Sequence, residues 1–166
     1  MGVTVGEDVP ERLHRLMGEL LKWNAKVNLT AITAPGEVVE KHFLDSLAVL
    51  PEVEGAGSVL DVGAGAGFPG LPLKMARPAL AVTMVDAVGK KVGYLKAVIA
   101  VAGLGLTGTK AVHTRAEGKP EADGAAASGP GDCASLHGSA GLVGPGAGVP
   151  GGGRARGGDA GQGAGG

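Results

Sequence analysis

The sequence predicts an α/β fold, because short apolar runs typical of buried strands alternate with helical periodicity along residues 57–117. Two of these runs, residues 58–62 and 81–86, carry an acidic residue at or near the carboxyl end. A glycine-rich turn joins the first run to the helix that follows it. The predicted elements follow the order of one half of a doubly wound parallel sheet: strand, glycine turn, helix, strand, helix and strand.

An amphipathic helix is predicted over residues 9–24. Asp8 and Glu11 flank Pro10 in the arrangement of a capping box with a proline in the first turn. Apolar side chains recur behind them at the i, i+3 and i+4 spacing of one helix face: Leu13, Leu16, Met17, Leu20 and Leu21. This face is expected to pack on the core.

A second helical segment is predicted to begin after Thr33, with Pro35 in its first turn, and to run to Leu47. His42 and Asp45 lie three residues apart and can share one face of it. Such a pair invites a catalytic interpretation, but no serine or cysteine nucleophile has a recognisable setting here. We therefore expect a structural hydrogen bond instead.

The two helical segments form an N-terminal helical extension over residues 1–56, and the α/β pattern occupies residues 57–117. Within that pattern, the helix after the glycine turn is expected to end before Pro78. A further helix is predicted over residues 89–102, and a third strand over residues 110–113.

The glycine turn is the most informative part of the chain for function. Glycines at 63, 65, 67 and 70 permit positive φ and remove Cβ atoms, so a ligand can lie against the backbone. The N-terminus of the next helix offers unpaired N–H groups. Asp86 stands 19 residues beyond Gly67, where a carboxylate can accept both hydroxyls of a ribose. Together these features predict a site for a nucleoside-bearing ligand.

Two ligand classes compete for this site. Gly65, Gly67 and Gly70 match the G-x-G-x-x-G fingerprint of dinucleotide sites, which leaves an NAD-dependent oxidoreductase open. Asp61, however, lies two residues before Gly63, and a carboxylate there would repel a pyrophosphate. S-adenosylmethionine carries a cationic sulfonium and an ammonium and no phosphate, so charge favours it over NAD.

Composition excludes several other classes. A single cysteine, Cys133, rules out an internal disulfide and a cysteine-based zinc site, and no metal site is predicted. No apolar run reaches the length of a membrane span and the N-terminus lacks a signal-peptide pattern, so a cytoplasmic protein with no membrane partner is expected. With a net charge of −1, any affinity for nucleic acid requires a local patch.

Residues 118–166 differ sharply from the rest, because they hold 18 of the 33 glycines. Their large aliphatic side chains are only four in number: Leu136, Leu142, Val143 and Val149. This composition predicts a disordered Gly/Ala-rich tail, since so little apolar surface cannot offset the chain entropy. Two origins stay open: a frame-shifted reading of a G+C-rich gene, whose codons encode Gly, Ala, Pro and Arg, and a natural flexible tail.

Several stretches of residues 9–117 form a specific combination. They are Trp-Asn-Ala-Lys-Val-Asn-Leu-Thr at 23–30, His-Phe-Leu-Asp-Ser-Leu at 42–47, the turn with Gly-Phe-Pro-Gly at 61–72, Val-Asp and Lys-Lys within 85–91, and Arg-Ala-Glu at 115–117. On these stretches the chain resembles the 16S ribosomal RNA guanine-N7 methyltransferase family, known as RsmG, GidB or glucose-inhibited division protein B. The occurrence of this glycine turn together with the upstream His-x-x-Asp-Ser-Leu block makes the resemblance specific to this family.

The resemblance implies a Rossmann-like S-adenosylmethionine-dependent methyltransferase fold with an N-terminal helical extension. It implies methyl transfer to N7 of a guanine in the 16S ribosomal RNA of the small ribosomal subunit. Lys90 and Lys91 match a basic pair that is a candidate for RNA phosphate. The charge argument and the resemblance together give the candidate cofactor-binding residues: Asp61, Gly63, Gly65, Phe68, Asp86, Ala87, Val88, Ala116 and Glu117.

No catalytic acid or base is predicted, because guanine N7 offers a lone pair and carries no proton, so alignment with the methyl group supplies the rate. The family pattern ends after Glu117, and we expect the C-terminal half of the sheet to be missing and the chain to be inactive. A non-catalytic truncated fragment therefore stays open beside the methyltransferase and the oxidoreductase.

Overall fold

The computed structural model describes residues 4–114, 133–137 and 141–143. Its helices are α1 (Val9–Val27), α2 (Pro35–Val38), α3 (Asp45–Ala48), α4 (Gly70–Ala76) and α5 (Gly89–Ile99), with a π-helical segment at Val39–Leu44 and a 3₁₀ turn at Leu50–Val53. Its strands are β1 (Ser58–Val62), β2 (Ala81–Asp86), β3 (Thr109–His113), β4 (Cys133–His137) and β5 (Gly141–Val143).

The strands form one sheet in the order β3-β2-β1-β4-β5. The first four strands are parallel, and β5 runs antiparallel to β4. The register sets Asp61 opposite Met84 on β2, with Val62 opposite Val85. The predicted α/β class and the alternation from β1 to β3 are therefore confirmed.

The sheet differs from the expectation at one edge, because β4 and β5 come from residues 118–166, where the sequence predicts no strand. Strand β4 pairs with β1 from Ser58 opposite Cys133 to Val62 opposite His137. The backbone groups on this side of β1 need hydrogen-bond partners, and the small side chains of β4, with Leu136 buried, fit beside it. Composition averaged over 49 residues concealed this five-residue segment.

Helix α1 confirms the predicted amphipathic segment and extends three residues beyond it. Its buried face consists of Val9, Leu13, Leu16 and Leu20. Asn28, at φ +50°, ends the helix in the left-handed conformation. The capping box is absent: the Asp8 side chain makes no hydrogen bond to the helix N-terminus and instead pairs with Arg12 one turn along.

The second helical segment begins at Pro35 as predicted, but it is not a uniform α-helix. A π-helical segment, Val39–Leu44, separates α2 from α3. Val38, Phe43 and Ser46 are buried along this stretch. Since π-helical turns change which side chains face inward, residues 39–44 present a face that α-helical spacing does not predict.

Helices α4 and α5 pack on the sheet, and α1 packs against both of these helices. The core lies between these layers. Tyr94 and Leu95 of α5 are fully buried, and the Trp23 ring meets the Tyr94 ring edge-on with centroids 6.0 Å apart. Helix α5 ends at Ile99, three residues short of the prediction. Across the described part of the chain, no helix combines the length and apolarity that a membrane span requires.

Candidate cofactor site

The glycine turn connects β1 to α4 along the carboxyl edge of the sheet. Gly63, Gly65 and Gly67 have φ of +71°, +54° and +91°, in the region that disfavours other residues. At Gly67 a Cβ would also collide with the Leu71 side chain. At Gly70 a Cβ would lie 2.9 Å from Asp61 Oδ2. The turn is therefore close-packed against its own helix and against β1.

Asp61 lies beneath this turn with no exposed surface. Its Oδ2 accepts a hydrogen bond of 3.1 Å from the Gly70 N–H at the start of α4, and its Oδ1 has no partner among the described residues. The pKa of the Asp61 carboxyl is raised to about 7, because burial and, to a smaller extent, the nearby Asp86 charge outweigh the lowering by the Gly70 hydrogen bond. A cationic group nearby would favour its ionised form.

Asp86 is held at the end of β2 by two backbone donors. Its Oδ2 accepts from the Gly65 N–H at 2.9 Å, and its Oδ1 accepts from the Val88 N–H at 2.8 Å. The first bond ties the glycine turn to β2, and the second orders the loop toward α5. Each carboxylate oxygen can accept a second hydrogen bond, so Asp86 can serve the two hydroxyls of a ribose.

A cavity of about 670 Å³ opens between the glycine turn and the N-terminal extension. The turn contributes residues 63–66 with Phe68 and Pro69, and Lys91 of α5 adds a positive charge. The extension lines the cavity with Leu29, Thr30, Ile32, Lys41, His42, Asp45, Ser46, Ala48 and Val49. This volume accommodates a small nucleoside derivative.

His42 is the residue of the extension whose contacts sequence reasoning misjudged. Its Nε2 lies 2.9 Å from Thr30 Oγ1, whereas the Asp45 side chain is exposed. The expected structural hydrogen bond is therefore present, with Thr30 in place of Asp45. Burial lowers the pKa of the His42 imidazole, and Asp45 acts in the raising direction. The sequence offered one clue to Thr30, because it is the last residue of the stretch 23–30 on which the family resemblance partly rests.

The structure brings most of the predicted site residues together. Gly63, Gly65 and Phe68 line the cavity, while Asp61 and Asp86 hold the glycine turn from β1 and β2. Ala87 and Val88 follow β2 and are exposed. Ala116 and Glu117 lie outside the described residues. Within the described ranges, no cluster of three or more His, Cys, Asp or Glu side chains could hold a metal ion.

Comparison with known proteins gives one consistent result. A model of the GidB family, described as rRNA small subunit methyltransferase G, matches residues 10–127. The chain is 71% identical over 124 residues to "Ribosomal RNA small subunit methyltransferase G" of Myxococcus xanthus (strain DK1622), covering 75% of the chain and 56% of that protein. Proteins of the same name from Anaeromyxobacter dehalogenans strains 2CP-1 / ATCC BAA-258 and 2CP-C are 52% and 51% identical, with the same coverage.

The chain thus spans about half the length of the curated relatives that it matches. The matched part contains strands β1 to β3 and all the elements that line the cavity, which are the extension, the glycine turn and the start of α5. The chain belongs to the rRNA small subunit methyltransferase G family, also known as GidB.

Proposed function

We propose that the cavity beside the glycine turn binds S-adenosylmethionine and serves methyl transfer to N7 of a guanine in 16S ribosomal RNA. The observation that carries the proposal is the pair of carboxylates across the turn. Asp86 is oriented by two backbone donors, and the fully buried Asp61 has no partner for its Oδ1 among the residues that the structure describes. Two carboxylates at one turn favour a cationic nucleoside. The relatives' printed names support the ribosomal RNA part.

The NAD alternative has no comparable support. A pyrophosphate at this turn would need the N–H groups at the start of α4. The Gly70 N–H is already bonded to Asp61 Oδ2, so a carboxyl oxygen occupies the place where a phosphate oxygen would accept. The same arrangement that repels a dinucleotide attracts a ligand with a sulfonium and an ammonium.

The residues present fit S-adenosylmethionine, which would supply the methyl group when bound. Asp86 would hold the ribose hydroxyls, with Ala87 and Val88 beside the adenine. We propose the same adenine contact for Ala116 and Glu117 on the strength of the family resemblance. Gly63, Gly65 and Phe68 would line the methionine and adenosine side, and Asp61 would favour the positive end. Each of these assignments is a proposal for this chain.

The proposed reaction requires the protein to align the two reactants and requires no proton transfer. A methyl donor held by Gly63, Phe68 and Asp86 would offer its methyl group to the N7 lone pair, and its sulfur would keep the electron pair of the bond that breaks. No proton moves, so the chain's task is to orient the two reactants and to exclude water. We therefore propose no catalytic acid or base. The guanine must be unstacked or lie in a loop to enter the cavity.

The proposed partner is the 16S ribosomal RNA of the small ribosomal subunit, and this partner supports a cytoplasmic location for the protein. Lys91 lines the cavity, whereas Lys90 is exposed beside it on α5. Lys41, on the other wall, is bonded to Glu37 at 2.6 Å. Lys91 is therefore the better placed of the two adjacent lysines to meet an RNA phosphate at the cavity.

Calorimetric titration of the purified chain with S-adenosylmethionine, with NAD as the comparison ligand, tests the proposal. We expect saturable binding of S-adenosylmethionine and none of NAD. Asp86→Asn should weaken binding by about 100-fold, because two hydrogen bonds to a charged acceptor contribute on the order of 3 kcal/mol. Glu52→Ala, which removes an exposed carboxylate remote from the cavity, should leave affinity unchanged. Equal affinity in both variants would contradict the assignment of Asp86.

A further inference from the structure

The proposed function leaves two sequence stretches unexplained, residues 23–30 and 42–47, and the structure joins them. The Asn24 side chain fixes the turn after α1 through three hydrogen bonds. Its Oδ1 accepts from the N–H groups of Leu29 at 2.6 Å and Thr30 at 2.9 Å, and its Nδ2 donates to the Thr30 carbonyl at 3.0 Å. The position of Thr30 is thus set by Asn24.

Thr30 in turn fixes His42. The Thr30 Oγ1 accepts from the Ile32 N–H at 3.1 Å and lies 2.9 Å from His42 Nε2. On the other side, the Ser46 hydroxyl donates to the His42 carbonyl. Ring and backbone of His42 are therefore both anchored, which leaves the imidazole plane little freedom to rotate.

The anchored imidazole lies flat on the Phe68 ring. The two ring centroids are 4.5 Å apart with an interplanar angle of 8°, and Phe43 meets Phe68 at 5.9 Å and 56°. Phe68 directly follows Gly67 in the glycine turn, and both Phe68 and His42 line the cavity. The extension thus contacts the turn through a stacked pair of rings.

We propose that Asn24, Thr30 and His42 form a positioning relay that sets the Phe68 ring in the wall of the cofactor cavity. His42 is a positioning residue in this relay and makes no proton transfer. The inference rests on the proposed function, because the cavity is taken to be the S-adenosylmethionine site. It explains why Thr30 and His42, which stand 12 positions apart in the sequence, are both polar and are in contact.

Variants of His42 and Thr30 test the relay through the affinity for S-adenosylmethionine. His42→Ala removes both the stacking on Phe68 and the hydrogen bond with Thr30. His42→Gln removes the stacked ring but keeps an amide within reach of Thr30. Both should weaken binding about 10-fold, the scale of one aromatic pair. Thr30→Val should weaken binding several-fold, and Thr30→Ser should restore it. Leu44→Ala, in the same π-helical segment and exposed, is the matched control.

Two further measurements separate positioning from a merely structural role. In carbon-correlated NMR spectra, the His42 ring protons should appear upfield because of the Phe68 ring, and Thr30→Val should reduce that shift. The double variant of His42→Ala with Phe68→Leu should lose less affinity than the sum of the single variants. Thermal midpoints measured in parallel should not follow the affinities.

Several outcomes would overturn the relay: unchanged affinity in His42→Ala and His42→Gln, additive losses in the double variant, or affinity losses that track thermal destabilisation in every variant. A chain that binds no S-adenosylmethionine, yet shows the upfield His42 signals, would refute the proposed function and with it the cofactor role of the relay. Normal binding without those signals would refute the relay alone.

Discussion

Burial of Asp61 lowers the stability of the folded protein when the carboxyl group is ionised. The ordinary pKa of an aspartate is about 3.8, and burial is the main cause that raises the folded value to about 7. Between these values the unfolded chain has lost the proton while the folded protein keeps it. The stability of the folded state therefore falls as pH rises from about 4 to about 7, and the loss is complete above that range.

Asp61→Asn should remove this pH dependence. The amide oxygen can still accept from Gly70, and no charge is buried, so the variant should gain up to about 4 kcal/mol at pH 8 and little at pH 4. Urea unfolding of both proteins at the two pH values measures the difference. A gain of equal size at both pH values would contradict the assignment, because charge burial would not be its source.

The sequence predicts which residues lie around the glycine turn better than it predicts the hydrogen bonds that these residues make. The spacing from Gly67 predicts that Asp86 lies at the end of the second strand beside the glycine turn, and the structure has it there, because strand and helix lengths in this fold are nearly fixed. It could not predict that backbone N–H groups of Gly65 and Val88 would bond to both Asp86 oxygens. It likewise missed Thr30 as the partner of His42, since that contact crosses from a turn to a helix.

At the scale of elements, Lys74 closes the connection between α4 and β2. Its ammonium is buried and donates to the carbonyls of Pro78 and Leu80, both at 2.7 Å. Burial lowers the pKa of this ammonium. The loop carbonyls would otherwise be desolvated without partners, so the lysine is what allows this tight αβ connection to pack on the core.

Lys74→Met should destabilise the fold by about 2–4 kcal/mol, because the buried Leu80 carbonyl and the partly buried Pro78 carbonyl lose a charged donor while the apolar stem is kept. Lys96→Met, which removes an exposed charge from α5, is the control and should change stability by less than about 0.5 kcal/mol. Guanidinium unfolding measures both. An equally small effect at Lys74 would show that water replaces the ammonium without cost.

Elements with a strong local pattern were predicted well, and those that depend on distant partners were not. Helix α1 and strands β1 to β3 follow from periodicity alone. The π-helical segment Val39–Leu44 depends on packing around Phe43, and β4 depends on the free side of β1, which is distant in sequence. Neither partner is visible in a local window of residues.

For the whole molecule, the chain spans about half the length of its relatives, and the family match ends at residue 127. The described elements line the cavity for which S-adenosylmethionine is proposed. We predict that the chain binds S-adenosylmethionine but transfers methyl to purified small ribosomal subunits far more slowly than a full-length relative, because it covers only 56% of such a relative and fewer residues are available to position the acceptor base. Transfer of labelled methyl to 16S RNA by both proteins measures this. Equal rates would contradict it.

The division at residue 117 stays a prediction, as does the origin of the glycine-rich segment that follows it. Translation of the two other reading frames of the coding DNA tests the frame-shift hypothesis. An α/β pattern that resumes in one of them would support it. Absence of such a pattern from both frames would leave a natural tail.

The two backbone bonds to Asp86 have a consequence for the kinetics of ligand capture. The Gly65 and Val88 N–H groups already hold both oxygens of this carboxylate in the structure without ligand. A ligand therefore meets an acceptor that needs no rearrangement, and little conformational entropy remains to be lost on binding. Association should proceed in one step, with an observed rate that increases linearly with ligand concentration and reaches no plateau.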